Sequence, residues 1–432
     1  MRALDRKLLR DLWHLRGQAL AIAAVIMGGV ATLVMSLSTY DALVTTRDRF
    51  YAEGRFADVF ANLKRAPEPV ADRLRELPGV ERLETRVVAG VKLEVAGFSD
   101  PITGLVVSVP DEGEPLLDAP YLKRGRMVRP GDADEVVVSD SFADAHRLEP
   151  GDRLAAIIEG KRKVLTVAGV AVSPEYVYQI APGAMFPDFK RYGVLWMGRD
   201  ALAAAYDMQG AFNDVALKLS RDADVREVID RVDEVLDRYG GTGSYARPDQ
   251  LSNRFLSEEL KQLKTTATLF PAIFLGIAAF LLDVVVSRLV ALQREQVAIL
   301  KAFGYSNLAV GAHYVKLVML IVLLGVAAGV ALGAWFGQGL SNVYAETTFR
   351  FPYLDFRVRP GVALIALAIS AAAAVSGTLF SVFRAARLAP AEGMRPETPT
   401  VYRATLAERS GLQRWFAAPT RMILRHVERR PV

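Results

Sequence analysis

The sequence has no cysteine and only four histidines in 432 residues. Without cysteine the chain can form neither a disulfide framework nor a zinc site with thiolate ligands. The histidines lie far apart in the sequence, which disfavours a histidine cluster around a metal ion; they are His14, His146, His313 and His426. We therefore expect no metal-binding residues.

Motifs for nucleotide hydrolysis and nucleophilic catalysis are also absent. No segment matches G-x-x-x-x-G-K-[ST], the phosphate-binding loop, and Gly160-Lys161 lacks both the upstream glycine and the following hydroxyl residue. We interpret that pair as the turn of a β-hairpin. Neither G-x-S-x-G nor H-E-x-x-H occurs. The sequence predicts no catalytic or cofactor-binding residue, so an enzyme is the weakest functional interpretation.

Long uncharged runs are the most prominent feature that is present. Each is as long as, or longer than, the ~18–20 residues that an α-helix needs to cross a bilayer core. The runs cover residues 17–40, 265–287 (interrupted only by Asp283), 317–345 and 361–383. They predict an α-helical membrane protein with four transmembrane helices, and a large soluble core is the alternative.

The first run could also belong to a secretory signal peptide. It is longer than the ~7–15 apolar residues of such a peptide, and sixteen residues precede it. We interpret it as a retained anchor, with cleavage after Ser36 or Ser38 as the alternative.

Charge is divided sharply between the segments. Residues 41–262 hold 38 acidic and 30 basic residues, whereas the rest of the chain holds 10 acidic and 23 basic residues. Basic residues concentrate on the cytoplasmic side of membrane proteins, so the basic pI does not indicate nucleic-acid binding. The N-terminus is predicted to be cytoplasmic because five basic residues precede the first run: Arg2, Arg6, Lys7, Arg10 and Arg16.

The predicted organisation places a multi-pass protein in the bacterial cytoplasmic (inner) membrane, with both termini cytoplasmic. Three arginines of the outer loop, Arg350, Arg357 and Arg359, are exceptions to the charge rule. The predicted segments are a cytoplasmic amphipathic N-terminus (1–16), span one (17–40), an extracytoplasmic α/β domain (41–262), span two (265–287), a cytoplasmic loop (288–313), span three (315–338), an outer loop (339–360), span four (361–383) and a basic cytoplasmic tail (384–432).

The acidic block predicts a mixed α/β domain between spans one and two. Short β-branched segments alternate with helical patterns, and turn signals such as Pro78-Gly79 separate them. We divide the block into residues 41–110 with 200–262, and residues 111–199. The predicted strands cover 57–63, 80–88, 135–138, 154–158, 164–172 and 211–219, and the predicted helices cover 71–77 and 225–239.

Two spans carry further signals. In span three a glycine recurs every four residues, which places one glycine face against a neighbouring helix, within the chain or across a dimer. These helix-packing residues are Gly325, Gly329, Gly333 and Gly337. In span two, Pro271 is expected to kink the helix or mark its entry. Asp283 is expected to reach the interface or to pair with Arg288.

The cytoplasmic loop predicts a short amphipathic helix, and a plain connector is the alternative. An apolar stripe is formed by Val290, Val297, Leu300 and Phe303. We expect Gly304 to end this helix and Ser306 or Asn307 to cap the next one.

At this loop the sequence resembles the FtsX-like permease family, which includes the MacB-type efflux permeases. The resemblance rests on residues 294–306, REQVAILKAFGYS, where an Arg-Glu pair precedes Leu-Lys-Ala-Phe-Gly. A second similar segment, residues 385–395, corresponds to the family's closing segment after its last span. The layout of one span, a large outer domain and three further spans also matches.

The resemblance implies a permease subunit that is driven by ATP hydrolysis on a separate chain. A separate cytoplasmic ABC ATPase, which binds ATP and Mg²⁺, would dock on the loop helix at Arg294, Glu295, Ala298, Lys301 and Gly304. Its hydrolysis cycle would move the outer domain, which exports or extracts a lipid-linked or apolar substrate. The alternative is a mechanotransmitter that activates an extracytoplasmic partner such as a cell-wall hydrolase.

The resemblance also implies a second permease copy or half and an extracytoplasmic adaptor or hydrolase as partners. The apolar runs predict contact with the lipid bilayer, and the charge distribution predicts no binding of nucleic acid. Residues 418–432 are loosely similar to the basic opening segment of the chain. We therefore interpret the chain as the first half of a ten-span permease, or as a split version of one whose remainder is a separate chain. A complete four-span subunit with an amphipathic tail on anionic lipid is the alternative.

Overall fold

The structure, a computed structural model, describes residues 3–387. Within that range it contains ten α-helices: α1 (Ala3–His14), α2 (Arg16–Glu53), α3 (Pro69–Arg75), α4 (Asp140–His146), α5 (Arg199–Ala205), α6 (Val225–Leu236), α7 (Leu251–Leu292), α8 (Arg294–Ala302), α9 (Asn307–Val343) and α10 (Pro360–Arg387). Four of them, α2, α7, α9 and α10, are long and apolar enough to cross a membrane. The rest of the chain between α2 and α7, residues 54–250, forms an α/β domain.

The spanning helices extend well beyond the uncharged runs. α2 continues past Tyr40 to Glu53, because Leu43, Thr46 and Phe50 recur at helical spacing and are buried. α7 begins at Leu251, before the predicted start at 265, and buries a similar stripe: Leu256, Leu260 and Leu263. Charged residues on the opposite faces of these segments interrupt the uncharged runs, so the runs predicted helices that were too short.

Eleven strands in residues 3–387 build two sheets. They are β1 (Val59–Pro67), β2 (Val80–Arg86), β3 (Val88–Glu94), β4 (Ile102–Val109), β5 (Tyr121–Gly125), β6 (Glu135–Ser139), β7 (Arg153–Ile158), β8 (Lys161–Val172), β9 (Tyr192–Gly198), β10 (Ala211–Leu219) and β11 (Tyr245–Ala246). The four-stranded sheet is antiparallel in the order β11-β1-β10-β2. The seven-stranded sheet is mixed, in the order β5-β8-β6-β9-β4-β3-β7.

The predicted division of this domain is wrong at one boundary. β3 and β4 pair within the seven-stranded sheet, so the chain passes between the sheets at Val87 and not near residue 110. The predicted strand 80–88 is in fact the end of one sheet and the start of the other. No glycine or proline marks the crossing; the backbone there is held by Ser108, whose hydroxyl oxygen accepts from the Val87 N–H at 2.9 Å.

Other local predictions are confirmed. β10 has the predicted limits, and α6 follows it at the predicted start. β7 and β8 form an antiparallel hairpin around Glu159 and Gly160, both with positive φ, as a two-residue primed turn requires. The Gly160-Lys161 pair therefore belongs to a hairpin.

The glycine face of α9 packs against α2 within the chain. A Cβ atom added to Gly325, Gly329 or Gly333 would lie 2.7–2.8 Å from atoms of Ile26, Val30 or the Ala31–Val34 turn. These contacts leave no room for a side chain on three successive turns of α9, so the two helix backbones approach closely. Gly337, one turn further on, faces the ring of Phe356.

The carboxylate of span two has a partner that the sequence did not indicate. The Ser381 hydroxyl of α10 donates to Asp283 Oδ1 at 2.5 Å and also contacts the Ser287 hydroxyl at 2.6 Å. This small polar cluster replaces the expected pairing of Asp283 with Arg288. Pro271 lies inside α7.

A buried ionic cluster joins the two sheets. Arg86, at the end of β2, lies 2.6 Å from Asp214 on β10, 2.6 Å from Glu175 after β8, and 3.4 Å from Asp118 before β5. All four side chains are at most 8% exposed. Since one guanidinium faces three carboxyl groups, full ionisation would leave an uncompensated negative charge in the interior, which is costly.

Proton binding relieves that excess charge. Burial raises the pKa of Asp118 to about 8 and that of Asp214 to about 6, although Arg86 opposes both shifts. In the unfolded chain both groups lose their protons near pH 4. Between about pH 4 and 8 the folded chain therefore holds more protons, so this cluster's contribution to stability falls as the pH rises through that window.

We predict opposite effects for alanine at two glycines of α9. Gly329→Ala should destabilise the chain by about 1–3 kcal/mol, because its Cβ would overlap Val30. Gly339→Ala should be neutral or stabilising, because nothing lies within 4 Å and alanine favours helix. Thermal unfolding in detergent measures both variants, and equal shifts in Tm would contradict the close approach of α2 and α9.

We also predict that Asp118→Asn flattens the pH dependence of stability. The amide oxygen can still accept the Ala57 N–H, which Asp118 binds at 2.9 Å, but the ionisation is gone. Between pH 5 and 8 the free energy of unfolding of the variant should fall less steeply than that of the wild type, by at most about 1.4 kcal/mol per pH unit. The exposed Asp222→Asn is the matched control, and parallel curves for Asp118→Asn and wild type would refute the raised pKa.

Candidate functional site

The loop between α7 and α9 forms the short helix α8. It ends at Ala302, and Gly304 adopts a φ of +90°, the left-handed conformation that glycine accepts without strain. The Ser306 hydroxyl oxygen then accepts the N–H of Ala309 at 3.2 Å and caps α9. The predicted helix, its glycine stop and its serine cap are confirmed.

The predicted docking residues do not all face outward. Glu295 and Gly304 are exposed, and Arg294 and Lys301 are half-buried. Ala298 is fully buried, so its assignment as a contact for a partner is wrong. Small size made Ala298 look suited to close approach, but the same property lets it pack inward beside Val297.

The structure adds exposed apolar residues that the sequence analysis missed or assigned differently. Ile299 is 41% exposed and Phe303 is 81% exposed, whereas Val297 of the same predicted stripe is buried. Leu292, just before α8, is also exposed. Leu292, Ile299 and Phe303 are spaced by seven and then four residues, which places them on one face of a helix. This spacing is the sequence signal that could have distinguished the exposed face from the buried face of Val297 and Ala298. Exposed aromatic and aliphatic side chains beside an acidic residue can anchor a protein partner.

A second candidate region lies where α2 and α7 enter the α/β domain. Their ends meet the segment after α9, residues 349–359, in a buried apolar cluster that we call the base cluster. The rings of Phe50 and Phe351 lie edge to face with centroids 6.2 Å apart, and the Tyr51 hydroxyl donates to Asn253 at 3.2 Å. The base cluster includes Leu43, Phe50, Tyr51, Phe56, Phe60, Leu256, Leu260, Phe349 and Phe351.

The segment 349–359, here called the outer strap, is tied to the seven-stranded sheet through Arg350. Its N–H donates to the Val177 carbonyl at 2.9 Å, and its guanidinium lies 2.9 Å from Asp144 and 3.4 Å from Asp140. Arg350 also lies over the ring of Phe189, 5.4 Å from its centroid. This arginine contradicts the charge rule because it belongs to the domain's ionic contacts and not to the lipid surface.

Two predictions fall outside the residues that the structure describes. The first is the basic tail 384–432, with the segment similar to the family's closing segment (385–395). The second is the likeness of residues 418–432 to the opening segment of the chain. These residues lie mostly or wholly beyond Arg387. Within residues 3–387, no group of three or more His, Cys, Asp or Glu side chains is arranged to hold a metal ion.

Comparison with known families gives two matches that cover most of the chain. The model of the MacB-like periplasmic core domain matches residues 19–235, half of the sequence. The model of the FtsX-like permease C-terminal domain matches residues 268–390, which include α8 and the last two spans. None of the curated proteins matches the chain.

Two solved structures similar to the chain are an extracellular domain and a periplasmic region. The extracellular domain of the ABC-type transporter YknZ from Gram-positive bacteria is 11% identical, with a TM-score of 0.29, over 44% of this chain and 98% of that one. The periplasmic region of MacB from Actinobacillus actinomycetemcomitans is 13% identical, with a TM-score of 0.30, over 48% of this chain and 94% of that one.

The family models therefore confirm the resemblance at residues 294–306 and the predicted fold class of four transmembrane helices with an extracytoplasmic α/β domain between the first two. Permeases of this family work with a cytoplasmic ABC ATPase. They form the permease component of the transporter, and the ATPase is its catalytic component. The chain belongs to the FtsX-like, MacB-type family of ABC transporter permeases.

Proposed function

We propose that the chain couples ATP hydrolysis on a separate ATPase to movement of its extracytoplasmic domain, and thereby exports or extracts a lipid-linked or apolar substrate. One observation carries this proposal. α2 is a single helix of 38 residues that runs from the membrane into the base cluster. At 1.5 Å per residue it is about 57 Å long, nearly twice the ~30 Å thickness of the hydrocarbon core.

A continuous helix passes on a displacement instead of absorbing it. The buried contacts of Phe50 and Tyr51 hold its far end to the domain, and the outer strap connects α9 and α10 to the same region through Phe349 and Phe351. Movement of the spans would therefore reach the α/β domain at the base cluster and at the ionic contacts of Arg350 with Asp140 and Asp144.

We propose that the ATPase docks on α8. The exposed Ile299 and Phe303 would fill apolar pockets of the partner, and Glu295 would set the orientation. Arg294, Lys301 and Gly304 remain proposed contacts at the edge of this surface. ATP and Mg²⁺ would be bound by the ATPase and not by this chain.

Localisation and assembly complete the proposal. Both termini lie in the cytoplasm of a bacterial cell whose inner membrane holds the four spans, as the basic residues before α2 indicate. A second permease copy or half would complete the transporter, and an adaptor or hydrolase would bind the α/β domain.

A cavity at the base of the domain favours export over pure mechanotransmission. It has a volume of about 490 Å³, within the ~300–1,000 Å³ range of ligand pockets. Its lining includes Phe50 of α2, the apolar residues Leu122, Met127 and Val128 of the seven-stranded subdomain, and four charged residues: Glu53, Arg55, Asp111 and Glu114. Because α2 forms a wall, displacement of that helix would change the cavity and release what it holds.

The docking surface gives a sharp test by co-purification of the full chain with its ATPase in detergent. Phe303→Asp should weaken binding roughly 30-fold, since an aromatic anchor contributes about 2 kcal/mol. The double reversal Arg294→Glu with Lys301→Glu should also reduce binding. Val164→Asp, which replaces an exposed apolar residue of the α/β domain, should leave binding unchanged.

Two results would count against the assignment. If the wild type binds the ATPase and Phe303→Asp binds it equally well, the motor contact is elsewhere. If the wild type binds no ABC ATPase, the proposed coupling fails altogether.

A further inference from the structure

The level of the bilayer surface can be read from two packed helices. Counted from the start of their uncharged runs at Gly17 and Leu317, α2 and α9 cross a ~30 Å core in about 20 residues, which ends near Met35 and Gly337. These two residues are in fact neighbours: a Cβ atom on Gly337 would lie 3.5 Å from Met35 Cα. The outer edge of the hydrocarbon core is therefore at their level.

The outer strap reaches the outer edge of the hydrocarbon core at Phe356. The ring of Phe356 lies 2.7 Å from the position of a Cβ atom on Gly337. The charged residues on either side of Phe356, Asp355 and Arg357, are both exposed, and α10 enters the membrane at Pro360. Phe356 thus holds its two charged neighbours at the depth of the lipid headgroups.

A cavity of about 320 Å³ opens at the same place. Five of its six lining residues have polar or charged side chains, and their aliphatic stems add apolar surface: Asp41, Ala42, Thr45, Asp355, Arg357 and Arg359. That volume is many times the ~10–15 Å³ that a cavity needs in order to hold one water molecule, so it has room for a small headgroup. Two guanidinium groups and two carboxylates share the cavity, so its formal charge is balanced.

The charges are only partly paired with each other. Arg359 lies 3.6 Å from Asp41 and 3.5 Å from the Thr45 hydroxyl. Within residues 3–387, neither Asp355 nor Arg357 forms an ion pair within 4 Å, although Asp355 is near enough to Arg49 for the two charges to attract each other. Arg350, in contrast, uses its charge on Asp140 and Asp144 of the α/β domain. Arg357 is therefore an exception to the charge rule that no ion pair within the described residues explains.

We propose that this cavity binds the headgroup of a zwitterionic phospholipid with a primary ammonium group, such as phosphatidylethanolamine, in the leaflet on the side of the α/β domain. Arg357 and Arg359 would donate to the phosphate, which guanidinium groups recognise in a fork geometry. Asp355 would accept from the ammonium group. The site requires only that the chain crosses the membrane, so it stands or falls independently of the proposed transport.

Charge balance sets the expected selectivity. An anionic headgroup would bring a phosphate but no ammonium group, so the occupied cavity would carry a net negative charge and the lipid should bind less well. A choline headgroup has no N–H to donate to Asp355, so it should also bind less well. The cavity therefore favours phosphatidylethanolamine over both phosphatidylglycerol and phosphatidylcholine.

Lipid titration of the purified full chain in detergent, read by native mass spectrometry, tests this site. The wild type should bind phosphatidylethanolamine in preference to the other two lipids. Arg357→Gln should weaken that binding roughly tenfold, which corresponds to about 1.4 kcal/mol. Asp355→Asn should reduce binding of phosphatidylethanolamine but not of phosphatidylglycerol. Arg73→Gln, at an exposed arginine of α3, should change nothing.

Each contrary result overturns the proposal. Stronger binding of phosphatidylglycerol than phosphatidylethanolamine would indicate a site for anionic lipid. Displacement of the lipid by inorganic phosphate, with no effect of Asp355→Asn, would indicate a phosphate site without ammonium recognition. Equal lipid binding by wild type and both variants would remove the site. Unchanged thermal unfolding shows that a variant is folded, and if Arg357→Gln unfolds, Asp355→Asn alone decides the question.

Discussion

The base cluster is the contact on which the rest of the structure depends. Here the ends of α2 and α7 and the outer strap bury Phe50, Leu256 and Phe351 together under the α/β domain. Aromatic side chains of this size supply much of the apolar area that holds such a junction. The proposed coupling requires this cluster, because a rigid helix transmits movement only if its far end is fixed. In the proposed coupling, movement that begins at an ATPase bound to α8 would reach the α/β domain through this cluster.

Within the α/β domain, the buried ionic cluster around Arg86 holds the two sheets together. Arg86 connects strands of the four-stranded sheet to Glu175 and Asp118, which belong to the other subdomain. A buried ionic cluster is weak evidence for stability, but it specifies geometry, because a displaced partner would leave a charge unpaired in the interior. In the proposed movement, the two sheets of the domain would therefore keep their positions relative to each other.

Much of this architecture could be predicted from the sequence, and the errors have physical causes. Uncharged runs located all four spans, yet α2 and α7 exceeded them, since burial against a domain needs only one apolar face. The passage between the sheets at Val87 was missed because no turn residue marks it. Ala298 was misplaced because sequence spacing defines the faces of a helix but not which face is covered. The cavity around Arg357 needed the fold, which brings residues 41–45 and 355–359 together.

Coupling between the motor side and the domain is tested most directly by measuring a distance during the ATPase cycle. The chain has no cysteine, so spin labels can be placed at Glu234→Cys on α6 and Gln296→Cys on α8, both exposed positions. With the ATPase bound, pulsed electron paramagnetic resonance should show a change in the distance distribution when ATP is added. A distribution that stays the same while the bound ATPase hydrolyses ATP would contradict mechanical coupling.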